Sequence, residues 1–161
     1  GFDIYAQAPN IDDLRRKVPY CFAEHPYPGA PVLHPHAIEP MKPFTVKGIS
    51  ILPLPVKHYL LDIVGFKIGN LAYITDAKEI PQETVTAITG IDTLVINALR
   101  PAEHISHLNL SQALDVIRVV RPRIAYLTHI SHDMGLYAKV APGLPDNVRP
   151  AVDGETIEIP D

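Results

Sequence analysis

The stretch TLVINALRPAEHISHLNLSQALDVIRVVRPRIAYLTH, residues 93–129, decides the fold. Its first five residues, Thr93–Asn97, form a continuous apolar run of strand length, the pattern of a strand buried on both faces. Asn109 then stands where a helix N-cap belongs, and Gln112, three residues on, completes a capping box. Leu114, Ile117 and Val120 follow at helical spacing on one face, and Arg121-Pro122 stops the helix after Val120. A second buried strand, Ile124–Thr128, comes next. Strand, helix, strand with continuous apolar strands is the texture of an α/β domain.

The upstream segment supplies four more strands, Phe44–Val46, Ile49–Val56, Ile63–Ile68 and Leu71–Thr75. Gly69-Asn70 is a two-residue turn that pairs the last two as a hairpin, so the sheet is expected to be mixed. Pro81 at the first turn, with Val85 and Ile88 at helical spacing, predicts a helix over Pro81–Ile88. Downstream, a short helix around Leu136–Val140 precedes two strands flanking an Asp153-Gly154 turn. At the other end, Asp3–Gln7 reads as a strand and Asn10 as the cap of a short helix, Ile11–Lys17. Residues 18–47, rich in proline and carrying His25, His34 and His36, read as an irregular insertion with short extended pieces.

The bulk numbers exclude several classes. At 161 residues, 47% apolar and 20% charged, the chain suits one soluble globular domain. Its apolar runs are strand-length, far short of the ~20 residues a spanning helix needs, so no membrane partner is expected. A net charge of −4 argues against long nucleic acid as a partner, since phosphate neutralisation favours clustered Lys and Arg. A lone cysteine, Cys21, can form neither an internal disulfide nor a thiolate metal site, which fits a reducing, cytoplasmic setting.

The chemistry gathers at strand ends. His58 closes the Ile49 strand, Asp76 the Leu71 strand and His129 the Ile124 strand, and His107 lies in the loop between Thr93–Asn97 and the Asn109-capped helix. Ligands collect at such ends in α/β sheets, where the backbone is rigid and side chains project into an open crevice. Each residue alone has an ordinary reading: a strand-end histidine is most often a surface group, and an aspartate there caps a turn. Three ligand-type residues at three strand ends together favour a metal site for Zn, Mn or Fe.

The ordered stretches Val56-Lys57-His58, Leu71-Ala72-Tyr73-Ile74-Thr75-Asp76, Ser106-His107-Leu108-Asn109-Leu110 and Leu127-Thr128-His129-Ile130-Ser131-His132-Asp133 resemble the successive C-terminal motifs of metallo-β-lactamase-fold hydrolases. The branch they are most similar to is the cyclic-phosphate phosphodiesterases, and the likeness runs from Phe44 through Asp153-Gly154. The resemblance implies an α/β fold, the C-terminal half of an αββα sandwich with a mixed sheet. It further implies two divalent ions, Zn or Mn, with His58 on the first, Asp76 bridging both and His129 on the second. A hydroxide held between the ions would attack phosphorus in a small phosphodiester substrate. His107 would face the substrate phosphate or assist the leaving group, and His132 is a further candidate for contact with substrate. His104 reads as a loop histidine and Asp153 as a turn residue.

One family motif, His-x-His-x-Asp-His, has no counterpart in these residues; His34-Pro35-His36 comes nearest but is followed by Ala37-Ile38. The resulting expectation is a partial domain over 1–161: residues 1–43 as N-terminal strand, short helix and Pro-rich insertion, residues 44–161 as the C-terminal half of the hydrolase fold. Such a chain by itself should bind metal weakly or not at all, show no turnover, and associate as a homo-oligomer through an uncovered sheet. Within the same fold, transfer-RNA 3′-end processing and thioester or lactone hydrolysis are alternative activities. From another class, a non-catalytic binding module using residues 20–43 as an interaction arm is the competing reading.

Overall fold

The structure is a computed structural model that describes residues 1–159. A strand β1 (Phe2–Ala6) leads into helix α1 (Ala8–Lys17). Proline-punctuated chain follows, with one 3-10 turn at Pro19–Phe22, and β2 (Leu33–Ala37) then returns to pair parallel with β1 from Phe2↔Leu33 to Ala6↔Ala37. The N-terminal segment is therefore more ordered than its composition suggests, and His34-Pro35-His36 sits on a strand. The first helix also begins earlier than the sequence reading placed it. Gln7 is its N-cap and Pro9 lies in its first turn, so Asn10 falls inside the helix. Proline at this point presets a helical φ and removes an N–H that would have no partner.

The main sheet has seven strands in chain order: β3 (Phe44–Val46), β4 (Ile49–His58), β5 (Leu61–Ile68), β6 (Leu71–Ile74), β7 (Thr93–Asn97), β8 (Ile124–Thr128) and β9 (Val148–Pro150). Pairing is antiparallel from β3 to β6 and parallel from β6 to β9, so the sheet is mixed. Since β5 runs against both β4 and β6, the C-terminal ends of β4, β6, β7 and β8 lie along one edge. β4 tolerates Pro53 and Pro55 because β3 pairs it only over Ile49–Ile51. Beyond that point the outer side needs no strand N–H. The free carbonyls there are used: Pro53 accepts from the Met41 N–H and Pro55 from the Thr84 hydroxyl.

Helices α2 (Gln82–Ile88), α3 (Leu110–Val120) and α4 (Tyr137–Val140) occupy the three crossovers between parallel strands. The capping box of α3 is formed in full, with Asn109 Oδ1 accepting from the Gln112 N–H and the Gln112 side chain accepting from the Asn109 N–H. Arg121, left-handed at φ 54°, ends it. α2 is shorter than expected by one residue, Pro81 serving as its N-cap. The core lies between sheet and helices, where Leu54, Ile74, Leu94, Ile96 and Leu127 meet Ile88, Ile117 and Val120. Each such fully buried side chain contributes about 1.5–3 kcal/mol relative to exposure.

At the C-terminus the expected pair of strands reduces to one. β9 joins β8 through Ala125↔Val148, but no strand follows the Asp153-Gly154 turn among the described residues. Among them, too, no helix is long and apolar enough to cross a membrane.

Candidate metal centre

The parallel register brings the strand ends together. Ile74 pairs with Ile96 and Asn97 with Thr128, so the residues just beyond β6 and β8 leave the sheet at neighbouring points. Both do so in the left-handed region, Asp76 at φ 59° and His129 at φ 55°. A non-glycine residue pays roughly 1–2 kcal/mol for that conformation, and such strain collects where a side chain must be held in one direction. Tyr59, immediately after His58, is left-handed as well, at φ 56°.

A buried amide holds the Asp76 bend in place. Ala77 donates its N–H to Asn97 Oδ1 at 2.9 Å, and Asn97 Nδ2 donates to the Ala77 carbonyl at 2.9 Å. The same carbonyl accepts the Leu108 N–H at 2.8 Å, which ties the loop carrying His107 to the end of β6. On the far side, the Lys57 carbonyl accepts from Lys78 and Glu79, fastening the end of β4 to the segment after Asp76.

These restraints place three imidazoles around one carboxylate. Asp76 Oδ1 is 3.2 Å from His107 Nε2 and 3.3 Å from His129 Nε2. The His107 ring is stacked against that of His129 at 4.7 Å between centroids and meets His58 edge-on at 4.7 Å. His58, Asp76 and His107 each present a ligand atom, no two farther apart than 4.8 Å. Adjacent ligands on one tetrahedral Zn ion stand ~3.4 Å apart, since each bond is ~2.1 Å. The contacts to Asp76 already match that spacing. One carboxylate with imidazoles is a donor set suited to Zn or another borderline divalent ion.

The electrostatics favour the ligand forms of both central residues. Partial burial works to raise the Asp76 pKa. Hydrogen bonds from His107 and Thr75, with the positive potential of His129 and His107, outweigh it and hold the carboxyl below its ordinary range. Burial pushes the His107 pKa down; Asp76 opposes this, while His129, His58 and His104 add to it. At neutral pH the pair is thus a carboxylate beside an uncharged imidazole.

His104, expected to be a loop histidine, joins the cluster. Its Nδ1 lies 3.0 Å from His107 Nδ1, and the Ser106 hydroxyl is 3.0 Å from the same atom. Two ring nitrogens at that distance share a single proton. When His107 Nδ1 carries it, His107 Nε2 no longer donates to Asp76 and is left with the lone pair that a metal requires. The three-residue spacing of His104 and His107 was the available signal; Asn97 gave none beyond its place at a strand end.

The structure leaves His132 apart. It lies in a 3-10 turn, His132–Met134, with its side chain 94% exposed and, among the described residues, the adjacent Asp133 as its ion-pair partner. His36 bonds Asp3 at 2.7 Å and stacks on Tyr5, a structural role in the β1–β2 pair. Asp153 lines a hollow of about 200 Å³ together with Thr128 and His129.

Residues 1–130 match the family described as a beta-lactamase superfamily domain. An octanoyltransferase of Porphyromonas gingivalis (strain ATCC BAA-308 / W83) is 35% identical over 152 residues, which are 94% of this chain and 31% of that protein. A diphosphatase from the PhnP family superposes with a TM-score of 0.85 at 27% identity, over 95% of this chain and 56% of that one. The short form of human tRNase Z superposes at 0.70 with 16% identity, over 99% of this chain and 68% of that one. Zn(2+)-bound PqqB of Methylobacterium extorquens gives 0.71 with 17% identity, over 98% and 65%. The last two show a shared fold alone. The chain spans about a third of the curated relative and just over half of the diphosphatase.

Proposed function

The chain belongs to the beta-lactamase superfamily domain family, whose fold is that of metal-dependent hydrolases, and from this premise we propose that it forms part of a phosphodiesterase active site. The observation that carries the reading is the convergence of His107 and His129 on one oxygen of Asp76, with His58 beside them. His58, Asp76, His107 and His129 would hold divalent metal, which when bound lowers the pKa of coordinated water and offsets charge on the reacting oxygen. Asp76 supplies the negative charge that draws the cation in. Its second oxygen accepts a hydrogen bond from the Thr75 hydroxyl at 3.1 Å, which steadies the carboxylate's orientation. His104 and Ser106 set the ring orientation of His107, and Asn97 sets the backbone that aims Asp76.

The diphosphatase likeness, the one solved-structure match cited above 25% identity, supports phosphorus as the electrophile. Net charge of −4 favours a small phosphodiester over precursor RNA. The discriminating assay uses the protein with the remainder of the active site present, loaded with Zn or Mn, and incubates it with bis(4-nitrophenyl) phosphate, a cyclic nucleotide and an octanoyl thioester. Hydrolysis of a phosphodiester, lost in Asp76→Asn, supports the reading. Thioester hydrolysis without phosphodiester hydrolysis overturns it.

That second outcome is a distinct reading, favoured by one observation: the 35%-identical relative is named an octanoyltransferase. The same metal centre can activate water against a carbonyl carbon.

A further inference from the structure

Beside His129 the polar hollow lined by Thr128, His129 and Asp153 adjoins a second pocket of about 200 Å³, and the two share Ile130 and Ala151. The character changes across that boundary. Ile130, Met134, Tyr137, Val140, Pro150 and Ala151 line the second pocket, and the tyrosine hydroxyl is the one side-chain polar group among them. Its floor is fixed, because Met134 is part of the buried core and Val140 packs against it. Its lining meets solvent through Ile130 and Tyr137, 36% and 50% exposed. Ala151 is anchored by its N–H to the Leu127 carbonyl at 2.8 Å, so the wall it forms moves with β8.

Size selects the occupant. A dry apolar cavity of about 150 Å³ takes one benzene, and a water there would need two to four polar partners that this lining lacks. A whole drug-sized substrate needs roughly 300–1,000 Å³. The pocket therefore suits one part of a larger molecule whose charged part lies toward His129. We propose that the pocket formed by Ile130, Met134, Tyr137, Val140, Pro150 and Ala151 is a substrate subsite for an uncharged ring or short alkyl group attached to the scissile centre. As a subsite, it rests on the hydrolase reading above; as a pocket for a small apolar group, it stands on its own lining.

The chain has two methionines, Met41 and Met134, so selective methyl labelling gives one NMR reporter in the pocket and one outside it. Benzyl alcohol titrated into the labelled protein tests the pocket alone. The Met134 methyl should shift saturably while Met41 stays fixed, and Ala151→Phe, which fills the pocket, should abolish the shift. Phenylphosphonate and methylphosphonate, titrated with Zn2+ present, then test the link to the centre. The phenyl compound should bind roughly five- to tenfold more tightly, and Ala151→Phe should erase the difference. No Met134 response to benzyl alcohol, or an equal response in Ala151→Phe, overturns the pocket assignment. A Met134 response with neither phosphonate bound retains the apolar pocket but removes the phosphodiesterase reading it serves. Equal binding of the two phosphonates overturns the subsite.

Discussion

His107 Nε2 lies 3.2 Å from Asp76 Oδ1, a contact that couples the loop after β7 to the bend after β6. It also links the stability of the metal-free protein to pH. The folded state holds the His107 pKa below its ordinary 6.5, so on acidification the unfolded chain takes up that proton first. Stability from this group is complete above pH ~6.5 and declines as pH falls from there toward the folded pKa, by at most about 1.4 kcal/mol per pH unit. Asp76, with its pKa depressed below 3.8, adds a second loss at lower pH, as acidity passes through its folded value. Urea midpoints measured in EDTA between pH ~7.5 and ~5 should fall with acidity, and His107→Gln should flatten the part of the curve just below pH ~6.5.

Asn97 is fully buried, and its amide closes both hydrogen bonds to Ala77. Asn97→Ala leaves a buried N–H without its acceptor and a carbonyl short of one donor. We expect a loss of about 2–4 kcal/mol in urea unfolding. We also expect a ten- to hundredfold weaker metal affinity, roughly the effect of removing a group that orients a ligand. Unchanged affinity in a folded Asn97→Ala protein would remove Asn97 from the positioning of Asp76.

Gly65 lies within β5, and a Cβ there would stand 2.8 Å from the Tyr73 carbonyl oxygen and 3.0 Å from Ile74 Cγ1. Because the obstructing atom is backbone of β6, relief requires moving the strand that leads into Asp76. Gly65→Ala should destabilise by about 1–3 kcal/mol and weaken metal binding with it. A thermal midpoint equal to the parent's would contradict this packing account.

The features legible in the sequence are those fixed by neighbours in the chain. The Asn109–Gln112 capping box, the Arg121-Pro122 stop and the continuous apolar runs of β7 and β8 are local signals, and each element forms where it was expected. His58, Asp76 and His129 were visible because strand ends of one orientation share an edge. Parallel pairing of β1 with β2 was not visible, since the two are joined by a long proline-rich connection whose path depends on tertiary contacts. The place of His104 likewise depends on how the loop folds back on itself. Asn97 looks like any polar strand end until Ala77, 20 residues earlier, is seen opposite it. The turn at Asp153-Gly154 signalled a hairpin, yet β9 finds its partner in β8, across a parallel register that no turn dipeptide reports.

Zn2+ titration of the EDTA-stripped chain by isothermal calorimetry reads out whether His58, Asp76, His107 and His129 together hold divalent metal. We expect saturable binding of one ion, weak enough for EDTA to reverse, abolished by Asp76→Ala and reduced at least tenfold by His107→Ala, with His132→Ala indistinguishable from the parent. Heat that fails to saturate, or binding that survives Asp76→Ala and His107→Ala alike, would contradict it.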